Sequence, residues 1–188
     1  MGFSFFSKPR TIDDKTVLVI SELVVLSSVQ LANKTKSAIL DELEVTNSKS
    51  FHLVVIESLC MYMHSLNKFA VQALSKEQMP IFLDKLASHT SAQVMKVMCE
   101  GQSEHDKLIF AELFRDNYNK TQPLYGVARS LINKEAPFLG NGLFSIFARR
   151  IAKVLTNDLN PEVLMGTIEI LSVEYKGEKL EGMLRSVK

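Results

Sequence analysis

Apolar residues recur every three or four positions along most of this 188-residue chain, the spacing that puts them on one side of an α-helix. Glycine and proline, 8 and 5 in all, fall between these stripes, where they end or connect helices. The clearest stripe lies in residues 51–74 and consists of Val55, Leu59, Tyr62, Leu66, Ala70 and Leu74. The pattern predicts an all-α protein, a single-domain bundle or array of about seven amphipathic helices.

Capping residues predict where individual helices begin. Ser75 and Gln78, three residues apart, have the spacing of a capping box. Further helix starts are predicted at Asp13–Asp14, Ser103 with Asp106, and Asn160 with Pro161. The clearest loop is residues 136–142, which we also expect to act as a hinge.

The first helix is predicted to run from Asp13–Asp14 to about Asn33. Residues 17–32 are apolar on nearly all sides of such a helix, which favours a central, largely buried position. A membrane span is not expected, because the segment is shorter than the roughly 20 apolar residues required and contains Glu22. If the helix is central, Leu23→Ala or Leu26→Ala should cost roughly 2–5 kcal/mol.

Two regions further along the chain carry specific expectations. The helix after Ser103 is expected to turn Leu108, Ile109, Leu113 and Phe114 inward. Pro123 then marks a separate, shorter helix with Leu124, Val127, Ala128 and Leu131 inward. Beyond residue 167 a β-hairpin, with its turn at Lys176–Glu178, is a minor alternative to helix.

Composition limits the classes of function. The formal charge of +1 provides no global field to attract nucleic acid, so no nucleic-acid partner is expected. Cys60 and Cys99 lie far apart among apolar residues, as buried free thiols do, which favours a cytoplasmic protein. The first 12 residues contain no recognisable signal peptide, so we interpret 1–12 as a flexible, Phe-rich tail and 13–188 as one helical domain.

A metal site is the principal alternative for a chemical function. The dipeptide His105–Asp106 in a helical chain resembles the His-Asp pair of metal-dependent phosphohydrolases, with His64 or His89 as an earlier ligand and Asp158 as a later one. A polar run, Glu100–Glu104, precedes the pair, and this context favours Asp106 as a first-turn residue of a helix. Cys60 and His64 share a helix face, but no second pair of ligands matches them. We therefore predict neither a cofactor nor a bound metal.

Surface features favour a non-enzymatic interaction module. Arg149, Arg150 and Lys153 are predicted to form the polar face of an amphipathic helix that begins at Leu143. Phe3, Phe5 and Phe6 in the tail would be costly to leave in water, so we expect them to bury in a protein or, less favourably, at a membrane surface. Two hypotheses stay open: an adaptor that binds a protein partner or self-associates, and a helical small-molecule binder or phosphohydrolase-like enzyme.

Overall fold

A computed structural model describes residues 12–40, 48–128, 130–131 and 140–186, and regular structure in them is helical throughout. The helices are α1 (Asp14–Thr35), α2 (Ser48–Ala73), α3 (Gln78–Met98), α4 (Glu104–Gly126), α5 (Leu143–Thr156), α6 (Pro161–Glu174) and α7 (Gly177–Arg185). A π-helical turn, Lys36–Leu40, extends α1. The prediction of an all-α bundle is confirmed. The alternative β-hairpin is wrong for residues 168–186, because they form the end of α6 and all of α7.

The predicted caps are present at the helix starts. The backbone N–H of Ser75 donates to Gln78 Oε1 and the N–H of Gln78 donates to Ser75 Oγ, both at 3.2 Å, which is the reciprocal capping box. Ser103 Oγ accepts from the N–H of Asp106 at 3.2 Å. Asn160 caps α6 through its side-chain oxygen. Local sequence therefore positions these three helix starts.

Helix α2 is the most continuously buried helix, and the predicted central position of α1 holds only in part. Residues 54–66 of α2 are buried without interruption, and α2 contacts α1, α3, α4, α5 and α7. In α1, by contrast, Leu26 is 60% exposed while Ser21 and Ser28 are buried. The two serine hydroxyls donate to carbonyls of their own helix, Ser21 to Leu18 and Ser28 to Val24. Small, internally satisfied serines therefore face the neighbouring helices, and the larger apolar side chain points outward.

Helix α4 differs from the prediction in two ways. It continues through Pro123 to Gly126, with Pro123 on the exposed side. A carbonyl that loses its N–H partner to proline can there bond to water. The inward orientation predicted for Leu108, Ile109, Leu113, Leu124, Val127 and Leu131 is also wrong, because all six are exposed. Phe110, Thr121 and Tyr125 are buried instead. The same prediction is correct for Phe114, which packs against the core, and for Ala128, which is buried.

Candidate functional site

A buried carboxylate joins three helices. Glu57 of α2 is 1% exposed, and each of its oxygens accepts two hydrogen bonds. Arg150 of α5 donates from Nε to Oε1 and from Nη2 to Oε2, both at 2.9 Å. Tyr125 Oη donates to Oε1 at 2.8 Å and Asn117 Nδ2 to Oε2 at 2.9 Å, both from α4. A buried charge is tolerated only with this degree of compensation.

This cluster explains the orientation of α4. The buried acid in α2 needs polar donors, and α4 supplies them from Asn117 and Tyr125. Asn117 Oδ1 in turn accepts from Arg150 Nη2 at 2.8 Å, which closes the network. Because these residues must face α2, the apolar residues on the adjacent side of α4 face solvent.

The cluster also corrects the predicted surface role of Arg150. Its side chain lies on the interior side of α5, and the hydrogen bonds to Glu57 raise its pKa. Arg149 is half-buried, and its Nη1 donates to the carbonyl of Gly140 at 3.1 Å. Lys153 is exposed. The three residues therefore do not form one exposed basic patch. Phe3, Phe5 and Phe6 lie outside the described residues.

His64 and Cys60 extend the same face of α2. The His64 ring stacks on Tyr118 with 4.5 Å between ring centroids, and its Nε2 lies 3.3 Å from Thr121 Oγ1. Burial lowers the pKa of His64 to about 4 and raises that of Cys60 to about 12. Both groups are therefore neutral at pH 7, and they pack in the interior rather than offer an exposed ligand or nucleophile.

The candidate metal ligands are not brought together. His105, Asp106 and Asp158 are exposed, whereas His64 is buried. Asp106 accepts a hydrogen bond from Ser103 Oγ at 2.6 Å at the start of α4. His89, in the middle of α3, has its Nε2 3.4 Å from Asp14 Oδ1 at the start of α1. In the part of the chain that the structure describes, no group of three or more His, Cys, Asp or Glu side chains is placed to hold a metal ion.

One face of α4 presents a row of exposed apolar and charged side chains to solvent, which we call the α4 seam. Its apolar members are between 43% and 54% exposed. Its two charged members are also exposed. In chain order the seam consists of Ile109, Leu113, Asp116, Lys120, Leu124 and Val127. Steps of three and four residues align these positions along one helix face, as in the seam of a coiled coil.

The N-terminal half of the seam borders a groove of about 520 Å³ between α4 and α2. Leu53 and Ile56 of α2 line one side, and Ile109 and Leu113 of α4 line the other. The two helices run in the same direction, because His52 packs against Phe110 and Glu57 against Asn117. A third helix could lie along this groove and contact both walls.

Sequence reasoning missed both features, although each left a signal. Glu57 is an acidic residue in the otherwise uncharged run 53–63, and an interrupted apolar run of this kind can indicate a buried, paired charge. The seam spacing is also visible in the sequence. The sequence predicts a core position for its apolar members, because helix periodicity does not reveal which of two apolar stripes faces inward.

No protein-family model, curated protein or solved structure matches this chain. By length and composition, the helical stretch Asp14–Ile39 could cross a membrane, and half of its most apolar window is buried against the rest of the protein. Core helices of soluble proteins can be equally long and apolar, so the expectation that Asp14–Ile39 does not span a membrane stays a prediction.

Proposed function

We propose that this protein is a homotypic interaction module, in which the α4 seam of one copy pairs with the α4 seam of a second copy. The observation that carries the proposal is the order of side chains along the seam. Apolar residues occupy both ends, Ile109 and Leu113 at one and Leu124 and Val127 at the other. An exposed apolar row of this kind is typical of an interaction surface.

The seam is complementary to itself when two copies run antiparallel. About a two-fold axis near residue 118, Ile109 faces Val127 of the second copy and Leu113 faces Leu124. In the same register Asp116 faces Lys120 of the second copy, and the reciprocal pairs form by symmetry. A parallel arrangement would instead place Asp116 against Asp116 and Lys120 against Lys120. Charge therefore favours the antiparallel, isologous pair, which closes as a dimer.

The pairing should be weak and reversible. The apolar seam residues are already half covered, so each gains about half of the 1.5–3 kcal/mol typical of full burial. Eight such side chains in two copies contribute about 6–12 kcal/mol, comparable to the roughly 4–15 kcal/mol that association costs. We expect a dissociation constant in the micromolar range or above.

Sedimentation equilibrium over a wide range of protein concentrations tests the proposal. The full chain should show a monomer–dimer equilibrium, and Leu113→Lys should shift it to monomer, because the variant places a charge in the centre of an apolar contact. Leu108→Lys is the matched control: Leu108 is 63% exposed on the same helix but off the seam. This control should dimerise as the unmodified chain does.

Charge reversal separates the proposed register from other modes of association. Asp116→Lys alone and Lys120→Asp alone should each weaken dimerisation, because like charges would then face one another. The double variant Asp116→Lys/Lys120→Asp should restore it. A chain that stays monomeric at about 1 mM, or a dimer that ignores Leu113→Lys, would overturn the proposal. The proposal would also be overturned if the α4 seam bound a different protein but not a second copy of this chain.

A further inference from the structure

A separate cavity lies between α2, the segment after α4 and the start of α5. Its volume is about 220 Å³, and its apolar wall includes Phe69, Leu131 and Leu143. Ser65, Lys68 and Ser130 contribute polar groups to the same cavity. An apolar wall with a few convergent polar groups is the usual composition of a small-molecule site.

Among the described residues that line this cavity, Lys68 alone carries a charged side chain. No carboxylate lies within ion-pair distance of its ammonium in the described residues. Burial lowers the pKa of Lys68. A partly desolvated cation that has no carboxylate partner within the described part of the chain is stabilised by an anion that reaches it.

Tyr175 forms another part of the cavity wall. Its ring is held between Tyr62, stacked at 5.4 Å, and Phe144, edge-on at 5.3 Å. Its hydroxyl is buried beside Ser65. Gly177 is required beside it, because a Cβ at that position would overlap the Tyr175 ring. The aromatic wall is therefore held in place by packing on three sides, and a ligand can rest on the Tyr175 ring.

We propose that this cavity binds a small monocarboxylate with an aromatic or short aliphatic body, whose carboxylate contacts Lys68 and whose apolar part packs on Phe69, Leu143 and the Tyr175 ring. Size supports the choice of ligand. An apolar cavity of roughly 150 Å³ accommodates benzene, so 220 Å³ accommodates the phenyl ring of a benzoate or 3-phenylpropanoate ion and part of its acid chain. A single lysine matches one negative charge, whereas phosphate sites usually combine several donors.

Titration calorimetry with 3-phenylpropanoate and its neutral amide tests this site in the full chain. The carboxylate should bind with a dissociation constant of about 1 mM or below, and the amide about tenfold more weakly. Lys68→Gln should reduce the affinity for the carboxylate about tenfold and leave that for the amide unchanged. Lys76→Gln, at an exposed lysine just after α2, is the matched control and should change neither.

A second measurement keeps the proposal testable if Lys68→Gln folds poorly. In the unmodified chain, 3-phenylpropanoate should shift the backbone amide resonances of Phe69, Ser130 and Tyr175 in a saturable way. No saturable binding up to about 10 mM, equal affinity for acid and amide, or shifts confined to another surface would overturn the proposal. Dimerisation through the α4 seam does not depend on this outcome, because the cavity contains no seam residue.

Discussion

At the residue scale, His64 shows how burial sets the charge of a side chain. Its Nε2 faces the hydroxyl of Thr121, whose own proton is donated to the carbonyl of Asn117 at 2.8 Å. This arrangement favours the tautomer of His64 with its hydrogen on Nε2, and Tyr118 and Tyr125 cover the faces of the ring. A second proton on His64 would have to be accommodated in an apolar, aromatic environment.

His64 should make the free energy of unfolding depend on pH. Its folded pKa of about 4 is below the unfolded value of about 6.5, so stability is fully present above pH 6.5 and is lost as the pH falls towards 4. Between pH 7 and pH 5 the loss from this group should be about 2 kcal/mol. Urea unfolding at several pH values gives the free energy of unfolding against pH for the unmodified chain and for His64→Gln, and the difference between the two slopes measures the contribution of His64. Equal slopes would show that the imidazole is not buried in neutral form.

The two leucines Leu59 and Leu26 should respond differently to truncation. Leu59 in α2 is fully buried, so Leu59→Ala should cost roughly 2–5 kcal/mol. Leu26 in α1 is mostly exposed, so Leu26→Ala should cost less than about 1 kcal/mol, well below the value expected for a central α1. Chemical denaturation of both variants gives the comparison. A larger loss of unfolding free energy for Leu26→Ala would show that Leu26 is buried, as expected for a central α1.

At the scale of the element, α5 is held by two different kinds of contact. Its apolar face, with Phe144, Phe147 and Ile151, is buried among the other helices. Arg150 then connects it to Glu57 of α2 and Asn117 of α4. Apolar burial is non-directional, whereas the bidentate pair has one preferred geometry, so Arg150 sets the rotation and register of α5.

Arg150→Met should therefore be strongly destabilising, by about 3–5 kcal/mol, because it leaves the Glu57 carboxylate buried without its cation. Lys153→Met removes an exposed charge from the same helix and should change stability by less than about 0.5 kcal/mol. The double variant Glu57→Leu/Arg150→Met should recover much of the loss. Thermal and urea denaturation of the unmodified chain and the three variants gives the comparison. An Arg150→Met variant as stable as the unmodified chain would contradict a structural role for the pair.

At the scale of the whole molecule, self-association should couple stability to protein concentration. A dimer that forms only from folded chains stabilises the folded state. At a protein concentration tenfold above the dissociation constant, the free energy of unfolding rises by about 1.4 kcal/mol. For a chain of this size we expect the apparent Tm to rise by about 3–6 °C over that range of concentration. Leu113→Lys should abolish the concentration dependence while Leu108→Lys retains it. A Tm that is independent of concentration in the unmodified chain would count against the dimer.

Local sequence predicted the helices of this protein well, since each depends on interactions within about four residues. Ser75 and Gln78, or Asn160 and the two N–H groups it caps, contact one another whatever the rest of the chain does. The same locality explains the error at Pro123. Proline weakens a helix, but whether the helix continues depends on the burial of its neighbours Thr121 and Tyr125.

The tertiary structure alone decided which face of each helix is buried. Glu57 meets Asn117 and Arg150 from positions 60 and 93 residues away, and no local pattern encodes that meeting. Once the buried carboxylate has drawn the polar residues of α4 inward, Ile109 and Leu113 must face outward. The sequence by itself determined that this protein is helical and where several of its helices begin. The α4 seam faces solvent because a buried charge must be neutralised by partners that only long-range packing can bring to it.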